Sequence, residues 1–407
     1  MKQEKIILGV FALILYFLSA VFSYSLAKTN ASSVKTVVKS PIPEETKKIL
    51  KEVPKKITRN ISTASRDIQS PLNGEFYTKE EATSWETKRP LAIMIENHLD
   101  ARPQSGLSSA DIVYETVAEG GITRFMAVYY GYPEDVIVGP VRSARTYFLD
   151  WVSEYGNKPL YTHVGGANCD SETGSGCANG APADALGQIE RYGWLGKNDL
   201  SQFSIGFPTF WRDPDRLGRV VAAEHTMYSS TQKLWKVAQN RGLGAVDDKG
   251  KDWKENFIPW KFKDDLLTSD KPQNFSAEFT HWGGYKDYTV RWEYNKEENL
   301  YKRFNAGVAH NDLNTNEQLT AKNIVLQFTT ERHANDGYDG NAHLLYGTIG
   351  SGEAVVLQDG KKIKAVWKKK SRADRTVFFD TLGKEISFNR GQIWIEVMAI
   401  GTVVSYE

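Results

Sequence analysis

The sequence lacks the familiar catalytic signatures. It has no Gly-x-Gly-x-x-Gly, no Gly-x-Ser-x-Gly and no Gly-x-x-x-x-Gly-Lys-Ser/Thr, which removes the usual dinucleotide, serine-hydrolase and phosphate-loop chemistries. Net charge is nearly absent: 51 basic and 50 acidic residues leave +1 in 407, too little for a general nucleic-acid binder. The seven histidines show no paired metal-ligand spacing, so neither a metal site nor a cofactor is expected. Residues 28–70 contain no Phe, Trp or Tyr. Such a segment cannot bury enough surface to offset its ordering entropy. No charged residue lies between Lys5 and Lys28.

That uncharged stretch reads as a membrane element. Residues 1–5 form a short basic tip, and 6–27 have the length of a single span. The apolar run is unbroken from Ile6 to Phe22, and Ser25-Leu26-Ala27 offers small residues of the kind a signal peptidase reads, so the segment is an uncleaved anchor or a cleaved signal. Either places the rest of the chain outside the cytoplasm: a single-pass cell-membrane protein with both domains extracytoplasmic. Residues 28–70 carry net +6 and read as a disordered basic stalk. Residues 71–407 are left mildly acidic.

Folded structure is expected from residue 71. Strands are read at Leu91–Glu96, Asp111–Val117, Thr123–Tyr130, Val136–Gly139 and Leu160–Val164, each β-branched or aromatic and bounded by turn residues. Helical spacing appears at Ser143–Tyr155 and Ala183–Tyr192. Strands alternating with helices predict an α/β domain over 71–235. A connection spans 236–270. Short alternating runs then predict a mostly-β domain over 271–407, a sandwich or partly open barrel, with strands at Tyr288–Tyr294, Asn323–Thr329, Glu353–Leu357, Lys362–Trp367, Arg375–Phe379 and Gln392–Met398. The overall class is α+β.

Longer motifs run through both domains. They include Ala92-Ile93-Met94-Ile95-Glu96-Asn97, Ala110-Asp111-Ile112-Val113-Tyr114-Glu115, Gly139-Pro140-Val141-Arg142-Ser143-Ala144-Arg145 and Gly391-Gln392-Ile393-Trp394-Ile395-Glu396-Val397. In these the chain resembles the YerB-like lipoprotein family of bacteria, over nearly everything after residue 85. The resemblance implies two associated domains of unassigned activity, exported and held at the membrane. Family members are anchored through a lipidated N-terminal cysteine. Here no cysteine precedes Cys169, so the apolar helix takes over the anchoring.

The strongest site signal is Gly139 to Arg145, which ends a strand and opens a helix. Ser143 is the expected N-cap. Unpaired backbone N–H groups at a helix start suit an anion, and Arg142 and Arg145 can flank it with bidentate donors. Arg102 and Arg124 lie at other boundaries of the same domain, and with Asp111 they complete the expected anion-binding set. A structural ion-pair network with Asp111, Glu115, Glu119 and Asp150 is the competing reading. The order of these motifs also has a weaker similarity to LytR-CpsA-Psr phosphotransferases. That similarity implies transfer from a polyprenyl-pyrophosphate-linked glycopolymer with a divalent cation. Arg142 is followed by Ser143 where that family has Asp, which removes a carboxylate from the pattern.

Other signals are sparser. Adjacent Glu224 and His225 form a possible acid/base pair. Cys169 and Cys177 enclose a Gly-rich loop and would form a disulfide outside the cytoplasm. His310 and Asp312 read as a structural pair. Trp282, Trp292, Trp367 and Trp394 are core or sugar-stacking aromatics. The expected partners are the membrane and a phosphate-bearing envelope ligand or a protein, with no nucleic acid. Two functions follow: a non-catalytic module that binds an anion or a partner, or the phosphotransferase.

Overall fold

The structure, a computed structural model, describes residues 64–131, 134–168, 181–338 and 342–407. The expected membrane segment, most of the stalk, Cys169 and Cys177 lie outside the described residues. Among the described residues, no helix is long and apolar enough to cross a membrane.

Two sheets, of ten and six strands, form the core of the described residues, and fourteen of their strands are labelled. In chain order they are β1 (Leu91–Glu96), β2 (Ile112–Glu119), β3 (Ile122–Tyr129), β4 (Leu160–His163), β5 (Asp199–Ser201), β6 (Ser276–Thr280), β7 (Thr289–Asn295), β8 (Leu300–Asn305), β9 (Asn323–Thr329), β10 (Gly350–Gln358), β11 (Lys361–Lys369), β12 (Val377–Asp380), β13 (Ile393–Ala399) and β14 (Val404–Tyr406). The larger sheet has ten strands in the order β12-β11-β10-β9-β13-β2-β3-β1-β4-β5. It draws strands from both sides of residue 235 without a break. The join is parallel pairing of β13 with β9 on one side and β2 on the other. β1, β2 and β13 are almost wholly buried. Their near-continuous apolar sequences are what strands covered on both faces require.

The two faces are packed differently. On one, Ala92 and Met94 meet Tyr147, Phe148, Trp151 and Val152 of helix α1 (Thr146–Val152). On the other, Leu91, Ile93 and Ile95 join a cluster containing Leu234 and Trp235 of helix α2 (Thr231–Asn240). That cluster includes Ala277, Val290, Trp292 and Tyr301 of the second sheet, in which β8, β7, β6 and β14 are neighbours. Trp292 and Trp394 meet edge to face across the two sheets at 5.2 Å. Trp292, Trp367 and Trp394 are therefore core residues, whereas Trp282 is half-buried.

Charged groups inside the core meet opposite charges or hydrogen-bond partners, as their desolvation cost demands. Glu154 on the Val152–Tyr155 turn receives Lys369 at 2.9 Å, Arg375 at 3.0 Å and the Tyr114 hydroxyl at 2.7 Å. Arg303 on β8 reaches Glu115 on β2, and His281 lies 3.2 Å from Glu396 on β13. Asp312 accepts from the backbone N–H groups of Gly106 and Ser108, and His310 contacts Gln104 at 2.6 Å. Both thus pin the loop over residues 104–108.

Candidate functional site

Within the large sheet β9, β13, β2, β1, β4 and β5 point the same way, with β3 reversed between β2 and β1. Their carboxyl ends share one edge, the usual place for ligands in open sheets. The segment Gly139 to Arg145 crosses this edge as a strap. Glu96 N–H donates to Pro140 O and Arg142 N–H to Met94 O, both at 2.9 Å; Ala144 N–H donates to Gly165 O at 3.0 Å. Because residues 141–145 are held extended between β1 and β4, the helix begins only at Thr146. Its N-cap is Arg145, without a side-chain cap. The expectation that Ser143 caps the helix is therefore corrected: its carbonyl accepts from Arg124 at 3.1 Å.

The strap arginines meet internal carboxylates. Arg124 and Arg145 both clamp Glu119 at the end of β2, and His343 stands 3.4 Å from the same carboxylate. Burial alone would raise the Glu119 pKa, but Arg124, His343 and Arg145 outweigh it and hold the group well below the usual carboxylate range. Arg142 lies 3.1 Å from Glu96. Arg102 donates to Asn97 Oδ1 and to Asp287 O, and stacks over Tyr288.

Asp111 does not join them. It precedes β2, at the end opposite Glu119, roughly 25 Å along the strand at ~3.3 Å per residue. There it accepts from Asn73 Nδ2 and Tyr130 N–H, both at 2.6 Å, and from Gly131 N–H at 2.9 Å. Burial pushes its pKa up to about 7 against these stabilising bonds. Asp111 therefore does not share one ligand site with the strap arginines.

Glu224 and His225 also separate. Glu224 is exposed, whereas His225 is buried and bonds through Nδ1 to Glu96 Oε2 at 2.9 Å. The carboxylate partner of His225 comes from residue 96, not from its chain neighbour.

A cavity of about 430 Å³ opens beside α1. That volume is within the ~300–1,000 Å³ of small-molecule sites. Its lining includes Thr146 and Asp150 of α1, Gln188 and Tyr192, and Arg332, Tyr346 and Arg372 from the C-terminal half. Arg372 stacks 3.9 Å over Tyr192 and donates to Ser153 Oγ at 2.6 Å. Neither Arg332 nor Arg372 forms an ion pair among the described residues. Asp150 accepts from Thr348 Oγ1, and burial raises its pKa. Sequence reasoning gave Asp150 only a structural role and missed both arginines. They lie in the other predicted domain, on segments with no motif to single them out.

Residues 74–244 match the family described as "Protein of unknown function (DUF3048) N-terminal domain", and residues 281–395 match its C-terminal domain. The chain is 30% identical over 344 residues to "Putative lipoprotein YerB" of Bacillus subtilis (strain 168), an alignment spanning 83% of this chain and 88% of that protein. The crystal structure of YerB protein from Bacillus subtilis aligns with a TM-score of 0.64 at 24% identity, over 84% of this chain and 100% of that one. That likeness shows a shared fold.

Proposed function

The chain belongs to the DUF3048 family, both of whose domains it carries in order, and on that footing we propose a membrane-held envelope protein that binds a phosphate-bearing ligand in the cavity beside α1. The location is supported by the relative's description as a lipoprotein and by the apolar run Ile6 to Phe22 ahead of a basic stalk. Residues 6–27 are the membrane contact in this reading, and the folded part lies outside the cytoplasm.

One observation carries the ligand class. The cavity is lined by two guanidinium groups, Arg332 and Arg372; neither lies in an ion pair among the described residues, and the one carboxylate lining the cavity, Asp150, feels the charge of Arg372 only at longer range. The strap arginines Arg124, Arg142 and Arg145, by contrast, are matched by Glu119 and Glu96. Planar, bidentate donors in a half-enclosed site suit phosphate oxygens. Tyr192 and Ser153 hold Arg372 in place, so less side-chain freedom is lost on binding.

Calorimetric titration of the full-length chain with inorganic phosphate and glucose 1-phosphate tests the reading. Arg372→Ala is expected to weaken binding about 10- to 100-fold, the worth of one charge-assisted hydrogen bond of ~1.5–3 kcal/mol. Arg142→Ala is expected to leave it unchanged. No binding to wild type, or equal binding by Arg372→Ala, rejects the site.

A further inference from the structure

A second polar cluster lies at the strap, apart from the cavity lining. Two carboxylates there are each divided between an arginine and an imidazole. Glu96 gives Oε1 to Arg142 at 3.1 Å and Oε2 to His225 Nδ1 at 2.9 Å. Asp100 gives Oδ1 to Arg219 at 3.0 Å, and its Oδ2 lies 3.8 Å from His98 Nδ1. The rings of His98 and His225 stack at 4.7 Å between centroids. One ligand-type atom from each of His98, Asp100 and His225 falls within a mutual 4.8 Å.

We propose that His98, Asp100 and His225 form a binding site for a divalent transition-metal ion of the zinc class. Because Glu96 accepts from His225 Nδ1–H, the lone pair of this buried ring is at Nε2. No partner meets Nε2 among the described residues. A carboxylate behind a ligating imidazole is the common second support of such sites: it fixes the tautomer and raises the basicity of the free nitrogen. Asp100 Oδ2 remains free because Arg219 occupies the other oxygen.

Charge selects the class of ion. Arg142 and Arg219 pair with Glu96 and Asp100, so the site carries little excess negative charge. Calcium and magnesium, which need several oxygen ligands, therefore find little here. Two imidazole nitrogens with one carboxylate suit zinc and its neighbours.

Loading requires a local closure. Tetrahedral ligands at ~2.0–2.2 Å from zinc stand about 3.4 Å from one another. The 4.8 Å spread must therefore contract, and one ring must leave the parallel stack so that both lone pairs converge. His98 is the ring free to turn. It precedes a single turn of 3-10 helix, Leu99–Ala101, and its side chain is one-third exposed, against 7% for His225. Turning it exchanges the bond from Asp100 N–H to Nδ1, now 3.1 Å, for the metal.

Titration of the untagged, metal-free full-length chain with zinc, read by calorimetry and by thermal shift, decides the proposal. One equivalent is expected to bind, with calcium and magnesium silent. His98→Ala, on a partly exposed loop, is expected to lower affinity at least 10-fold while leaving the apo melting temperature and circular dichroism unchanged. Glu96→Gln is expected to weaken binding about 10- to 100-fold. Arg219→Ala is expected to strengthen it by removing a positive charge 3.0 Å from Asp100. Absence of zinc binding, or binding that His98→Ala leaves intact, overturns the proposal.

Discussion

At the scale of single residues, burial and a partner's charge decide what each ionisable group does. Asp150 shares the cavity with Arg332 and Arg372, and as a carboxylate it repels an incoming phosphate. Asp150→Asn is therefore expected to tighten glucose 1-phosphate binding about 5-fold, the worth of ~1 kcal/mol of like-charge repulsion near water. Unchanged affinity in the same titration would place the ligand elsewhere. Asp111 makes a different prediction. Its folded pKa, about 7, exceeds the unfolded value near 3.8. Between these values the folded chain holds a proton that the unfolded chain releases, so stability is full below about pH 4 and falls as pH rises through 7. Asp111→Asn cannot titrate. Melting curves should show wild type losing up to about 4 kcal/mol relative to this variant across that window; parallel curves would contradict the assigned burial effect. Residues of this kind were the hardest to read in the sequence. The arginines of the Gly139 to Arg145 motif were visible, but their neutralisation by Glu96 and Glu119 depends on pairings across strands. His98 and His225 are 127 positions apart, so no local spacing could announce them.

At the scale of elements, the strap and the hairpin of Glu331–His333 with Leu344–Tyr346 both lean on Glu119. It binds Arg145 from the strap and Arg124 from β3, and it lies 3.4 Å from His343 of the hairpin segment. Glu119→Gln removes the charge that Arg124, Arg145 and His343 share. It is expected to destabilise by about 3 kcal/mol, the lower end for breaking a buried pair because the carboxylate is one-quarter exposed. The depressed pKa of Glu119 adds stability that is present above the unfolded carboxylate value and lost as pH falls, so the variant should also lose part of the acid sensitivity of wild type. Chemical denaturation at pH 7 and pH 3 measures both effects. Most elements were legible from pattern: the β1 and β9 boundaries coincide with those read from β-branched runs and turn residues. β8 was not, because Arg303 occupies an inward position among Tyr301 and Asn305 and breaks the apolar alternation. The helix start at residue 146 was missed by three residues because strand-like pairing of the strap overrides Ser143 as a cap.

At the scale of the whole folded part, the ten-stranded sheet binds both family domains into one hydrogen-bonded layer. β13, from the C-terminal domain, is flanked by β9 and by β2 of the N-terminal domain, and Glu154 ties the turn after α1 to Lys369 and Arg375. Removing residues 271–407 would strip a parallel partner from β2 and leave Glu115 and Glu154 without their cationic partners, so that fragment is expected to fail to fold. Calorimetry of the full-length chain should show one cooperative unfolding transition for the folded part; two well-separated transitions would refute the coupling. The α+β class was legible from alternating strand and helix patterns. The sharing of one sheet was not, because it depends on which strands become neighbours, and sequence periodicity does not encode that order. The same long-range pairing brings Asp150 together with Arg332 and Arg372, the basis of the proposed function. The most direct test is a crystal of this chain soaked with glucose 1-phosphate. Phosphate density between Arg332 and Arg372 is predicted. Density at the Arg142–Arg145 strap instead, or none in the cavity, would contradict the account.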